Sequence, residues 1–250
     1  MLKVRVIPTL LWKDFGLVKG VVFDSWRRVG TVLPSVQVYN TRLVDELIIV
    51  DILASSLGSI PDVYEVQQFS SVCFVPLTIG GGIRNIEQIR SLLRSGADKV
   101  SMNTILYSNP EFASEASQQF GSQCIVASID VRLVDDKWIC FSMSGTKCEN
   151  RDPVLWAKTL ESLGVGEILL TSIDRDGTMK GYDLELVNAV SSAVSIPVIA
   201  SGGAGTYQHM LEAVQAGANA VAAASMFHFT HQTPLEAKRF LLAHGVPTRV

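Results

Sequence analysis

Laid over itself at an offset of 121 residues, the chain matches in three places without a gap. Val75-Pro-Leu-Thr-Ile-Gly-Gly-Gly falls on Ile196-Pro-Val-Ile-Ala-Ser-Gly-Gly, and Ser95-Gly-Ala-Asp-Lys-Val falls on Ala216-Gly-Ala-Asn-Ala-Val. Glu46-Leu-Ile-Ile falls on Glu167-Ile-Leu-Leu. A period close to half of a 250-residue chain implies two similar halves that must bury a shared core. Eight short apolar, β-branched runs occur at 4–10, 47–52, 74–79, 99–102, 124–129, 168–172, 197–200 and 220–223. Amphipathic helical stretches lie between most of them, at 85–95, 110–120, 152–163, 183–192 and 207–216. Buried strands alternating with helices predict a parallel sheet, open and doubly wound or closed. The repeat selects the closed form, an α/β (β/α)8 TIM barrel forming one domain over 1–250, with half-barrels at about 1–121 and 122–250.

Composition narrows the partners. Hydrophobic residues make up 48% and charged residues 18%, which excludes intrinsic disorder, and no apolar run reaches membrane-spanning length. A net charge of −3 gives no reason to expect nucleic acid or an anionic membrane surface. Charges at Lys3 and Arg5 interrupt the first apolar stretch, unlike a secretory signal. The four cysteines form no CxxC pair and read as reduced thiols, so a cytoplasmic location is expected. His228 and His231 have HxxH spacing, but no acid or thiol beside them completes a metal site. A dinucleotide fingerprint fails because Asn85 stands where GxGxxG needs glycine. Neither a metal nor an organic cofactor is expected.

Barrel chemistry lies at the carboxyl ends of the strands. Gly80-Gly81-Gly82 follows the third run and Gly202-Gly203-Ala204 the seventh. Without side chains, such turns let an anion approach backbone N–H groups. Asn103-Thr104 and Ala224-Ser225 end the next runs, and both pairs can complete a phosphate cradle. The repeat therefore predicts two phosphate sites facing each other across one mouth, and a ligand phosphorylated at both ends. The plainer alternative is that these glycines only make tight turns. Asp51 ends the second run, and Asp130 ends the fifth, after the small or apolar run Ile125-Val-Ala-Ser-Ile. Desolvation there favours a raised pKa and acid/base work for Asp130. Asp176 reads as a cap on the turn into Gly177, and these two are counted with the phosphate-binding turns. Asp183 reads as a helix cap.

The strings Gly121-Ser-Gln-Cys-Ile-Val-Ala-Ser-Ile-Asp130, Gly166-Glu-Ile-Leu-Leu-Thr-Ser-Ile-Asp-Arg-Asp-Gly-Thr178, Gly181-Tyr-Asp-Leu-Glu-Leu186 and Ile199-Ala-Ser-Gly-Gly-Ala204 resemble the cyclase subunit of imidazole glycerol phosphate synthase. The likeness covers essentially the whole chain. It implies a (β/α)8 barrel that takes ammonia from a glutaminase subunit docked on its bottom face, forming a heterodimer. In that family the barrel converts a doubly phosphorylated phosphoribulosyl aminoimidazole carboxamide nucleotide to imidazole glycerol phosphate in histidine biosynthesis. The resemblance makes Arg5, Glu46, Lys99 and Glu167 the charged ring that gates ammonia. Left to the residues alone, those four read rather as polar groups closing a barrel bottom, where such residues serve stability. Asp98 and Gln123 match the glutaminase docking surface, Trp156 a family tryptophan, and Lys19 an anion-binding loop lysine.

One position departs from the pattern. The family uses two aspartates, at the ends of strands one and five. Asp130 is the second, whereas Leu11 stands where the first should be, and Asp14 lies three residues too far along to replace it. A hydrocarbon side chain moves no protons. Leu10-Leu-Trp-Lys-Asp-Phe-Gly-Leu-Val-Lys19 and Arg28-Val-Gly30 resemble a branch with leucine at this position. That branch works with a glutaminase and an ATP-dependent amidotransferase on a sugar of surface polysaccharide (lipopolysaccharide). The expected role is therefore an ammonia-accepting barrel subunit for sugar amidation. An authentic histidine-pathway cyclase and a non-catalytic activator of the glutaminase are the alternatives.

Overall fold

The computed structural model describes residues 3–14 and 16–250. Met1, Leu2 and Phe15, the last within the stretch that resembles the sugar-amidation branch, lie outside the described residues. Eight parallel strands close into a barrel: β1 (Arg5–Lys13), β2 (Leu47–Asp51), β3 (Leu77–Gly80), β4 (Lys99–Met102), β5 (Ile125–Val134), β6 (Glu167–Ser172), β7 (Val198–Ser201) and β8 (Ala220–Ala223). Each pairs in parallel with its successor, and β8 returns to β1 with Arg5 opposite Ala220 and Ile7 opposite Ala222. The fold is a (β/α)8 TIM barrel. No described helix is long and apolar enough to cross a membrane.

Side chains alternate across each strand, so the barrel has two separate apolar regions. The larger lies between strands and helices and includes Val6, Leu10, Leu47, Ile49 and Ile168. The smaller fills the barrel itself with Ile7, Ile48, Val126, Leu169, Ile199, Ala220 and Ala222. Inward positions below this plug carry the charged residues at the strand starts. Those above it carry Thr9, Ser101, Ser128, Thr171 and Ser201, which line the mouth.

The repeat extends to caps and turns. Asn85 and Thr206, 121 residues apart, both cap helices in extended conformation, accepting from the Gln88 and His209 N–H groups. Asp98 Oδ2 accepts from the Leu77 N–H at 2.8 Å, and its counterpart Asn219 Oδ1 accepts from Val198 at 2.9 Å. Such bonds fix the first residue of a strand without needing a ladder partner. Gly121 lies between the helix Glu111–Phe120 and the turn Ser122–Cys124.

Three expectations need correction. The third strand begins at Leu77, and Phe74 lies outside it, 83% exposed. Asn40 holds that loop from the side, donating to the Val72 carbonyl and accepting from the Phe74 N–H. The segment after β1 is an antiparallel hairpin, Gly16–Val21 with Asp24–Gly30, where the sequence suggests a loop. Its two-residue turn, Val22-Phe23, has φ of 56° and 59°. Branched and aromatic residues rarely adopt that geometry, so the hairpin carried no turn signature. β5 also runs beyond residue 129, because its far half pairs antiparallel with Lys137–Ser142 through an Asp135-Asp136 turn.

Candidate functional site

At the carboxyl ends of the strands lies a cavity of about 240 Å³. It brings together Asp130, Gly81, Gly82, Asn103, Thr104, Asp176, Gly177, Gly203, Ala204, Ala224 and Ser225, which the sequence had placed there. Leu11 and Asp51 join them. Asn103 and Ala224, the repeat-related residues before two short helices, share an uncommon backbone conformation: φ −128°, ψ −76° against φ −129°, ψ −72°. Neither helix has a side-chain cap, so no side chain satisfies their first amides, and both helix starts line the cavity.

Asp130 sits at the point where β5 passes from barrel to hairpin. Its Oδ2 accepts from Asn103 Nδ2 at 2.7 Å and its Oδ1 from the Ser128 hydroxyl at 3.3 Å. Burial pushes its carboxyl up to about 7; the two hydrogen bonds pull it back, and the charge of Asp176 adds to the rise. Asp176 is raised to about 6 by burial, against the opposing pull of Lys19 and the Gly177 N–H. Such values allow a carboxyl group to hold or release a proton near neutral pH. Two polar atoms in the cavity wall have no partner among the described residues: the Thr9 hydroxyl, on a residue only 9% exposed, and Asn103 Oδ1.

Lys19 lies in the hairpin, 2% exposed, its ammonium donating to the Thr9 carbonyl at 2.9 Å. Burial lowers its pKa to about 7, opposed by Asp176. It stands behind the cavity wall and does not line it. The hairpin is tied to the site by the Val22 N–H, which donates to the Asp176 carbonyl at 2.9 Å. Gly177 must be glycine here, since a Cβ would come within 2.2 Å of the Gly20 carbonyl. The hairpin adds Phe23 and Trp26 to the cavity wall, and the opposite loop adds Ser144. None of these three was singled out by sequence, because only the docked hairpin and loop bring them to the mouth.

Asp14 is exposed in the turn after β1 and does not line the cavity. Asp51 accepts from the Leu53 and Ala54 N–H groups and so begins the next helical turn. Asp183 caps its helix through the Leu186 N–H. His228 packs edge-on against Tyr39, where burial lowers its pKa to about 4.

The other end of the barrel is closed by charge. Arg5 donates to Glu46 at 2.7 Å and also to Glu167, while Lys99 reaches Glu46 at 3.1 Å and Glu167 at 3.0 Å. The four residues form a ring in which each has two partners of opposite sign. Burial alone would lower the Arg5 pKa, but Glu167 and Glu46 outweigh it and hold the guanidinium charged. Asp98 and Gln123 are exposed near the starts of β4 and β5, on the same face as the ring. Trp156 is buried among the outer helices, stacked on Tyr107.

The model of the family described as Histidine biosynthesis protein matches residues 5–233. With the closed barrel and its mouth in place, that match makes the chain a member of the histidine biosynthesis protein family, carrying its cyclase-type barrel.

Proposed function

We propose that this chain is the ammonia-accepting barrel subunit of a glutamine amidotransferase complex, serving amidation of a surface-polysaccharide sugar together with an ATP-dependent amidotransferase in the cytoplasm. The observation that carries the reading is the pairing of a complete charge ring at the floor with Leu11 in the wall that Asp130 also lines. The ring is neutral overall and sits under an apolar plug. A charged ammonium would pay heavily to cross that plug, whereas uncharged NH3 would not. Partial opening of the ring lets the neutral molecule enter. At the mouth, the glycine turns Gly81-Gly82 and Gly203-Ala204 and the amides after Asn103 and Ala224 hold the two phosphates of a ligand. Asp98 and Gln123 belong to the glutaminase contact on the floor side.

Mixing the chain with the glutaminase subunit and measuring glutamine hydrolysis tests the docking half. Activation is expected, and no complex with no activation overturns it. Ammonium salt with the doubly phosphorylated nucleotide at high pH tests the chemistry. Little carboxamide ribotide is expected from the wild type, and more from Leu11→Asp. Turnover at the rate of an ordinary cyclase would overturn the sugar-amidation reading. That outcome would favour histidine-pathway cyclisation, which one observation supports: Asp176 shares the cavity with Asp130 and offers a second carboxyl group.

A further inference from the structure

The two glycine turns at the mouth are related by the repeat, but their surroundings are not equally charged. Residue 84, two beyond Gly82, is arginine; its counterpart at the offset of 121 is Gly205. The Arg84 guanidinium lies along the cavity rim, donating from Nη2 to the Ser55 carbonyl at 2.9 Å. Ser55 in turn accepts from the Gly82 N–H through its hydroxyl at 3.2 Å, so Arg84, Ser55 and the first turn form one connected unit. No carboxylate pairs with Arg84 among the described residues, and no other cation lines the cavity. At the second turn a side chain in place of Gly205 is impossible, since a Cβ would stand 2.1 Å from the Met179 carbonyl. The counterpart of Ser55 there is Asp176.

Acids must be counted on both sides. Asp51 abuts the first turn, its Cβ 3.1 Å from where a Gly81 Cβ would be, and its counterpart is Ser172. Asp51 and Arg84 offset each other at the first turn, whereas at the second Asp176 is opposed by Lys19, which is held behind the wall on the Thr9 carbonyl and does not line the cavity. Arg175 backs Gly203 but lines a separate groove with Lys180 and His209. The unpartnered Thr9 hydroxyl and Asn103 Oδ1 mark the same cavity as one built for a polar ligand.

We propose that Arg84 makes the mouth directional, so that the Gly81-Gly82 turn binds a phosphate monoester dianion more tightly than the Gly203-Ala204 turn does and holds one particular end of a doubly phosphorylated ligand. This rests on the two-phosphate reading of the mouth. A guanidinium adds both charge and fixed donors to backbone amides that otherwise act alone.

The test is titration of sulfate, which stays dianionic throughout, followed by the amide resonances of Gly81 and Gly203 in the whole chain. In the wild type the Gly81 group should saturate first. Arg84→Ala should weaken that site by roughly tenfold, leave the Gly203 site within twofold and so reverse the order, while Arg84→Lys should restore part of the difference. Arg84 is exposed, and the same spectra report whether each variant is folded. Binding at both turns that Arg84→Ala changes equally, or not at all, would overturn the directional assignment and leave the two-phosphate reading standing. Failure of sulfate to move either amide would overturn both.

Discussion

The floor and the mouth of this barrel hold similar numbers of charged side chains and treat them in opposite ways. At the floor, Arg5, Glu46, Lys99 and Glu167 each meet two opposite charges, and the ring closes on itself. At the mouth, Asp130 and Asp176 line the same cavity without a cation on its surface except Arg84, and Lys19 is held behind the wall. The unpaired carboxyl groups are driven by burial into the range where a proton comes and goes. The contrast separates charge used to close a passage from charge available for chemistry.

At a fixed pH, the largest loss should come from breaking the ring. Glu167→Gln leaves Arg5 and Lys99 to share Glu46 alone, and urea unfolding at pH 7 should show a loss of about 3 kcal/mol, the scale of removing one partner from a buried pair. A loss under about 1 kcal/mol would mean the floor charges are solvated and loosely held. Asp130→Asn sharpens the other half of the contrast. Because the folded-state pKa of about 7 lies above the ordinary carboxyl value, wild-type stability should fall as pH rises from about 4 to about 7. The variant escapes that loss, so in thermal melts its stability relative to wild type should gain up to about 4 kcal/mol between pH 4 and pH 8 and then level off. A constant difference across that window would show that Asp130 ionises normally. Phe74→Ser should give the smallest effect, under about 0.5 kcal/mol in the isolated chain, because the ring of Phe74 stands in solvent on the floor side. A larger loss would place that aromatic in the core.

The fold is most legible in the sequence where local signals repeat. The strands were visible as short apolar, β-branched runs and the glycine turns because both halves carry them, whereas Arg5, Glu46, Lys99 and Glu167 stood out through the family resemblance. The hairpin over the mouth was not visible, since Val22-Phe23 lacks the residues that its turn geometry prefers. With the hairpin hidden, so were the burial of Lys19 and the cavity contacts of Phe23 and Trp26.

By itself, then, the sequence determined a repeat at an offset of 121, eight apolar runs alternating with helices, and an acid at position 130 with a hydrocarbon at position 11. Those features depend on side-chain period and backbone freedom, which act over a few residues. Only the closed barrel decided that Glu46 and Glu167 would reach the same two cations, and that Asp176 would share a cavity with Asp130. Charge interactions depend on distance and desolvation, and both are set when strands far apart in the chain come together around one axis.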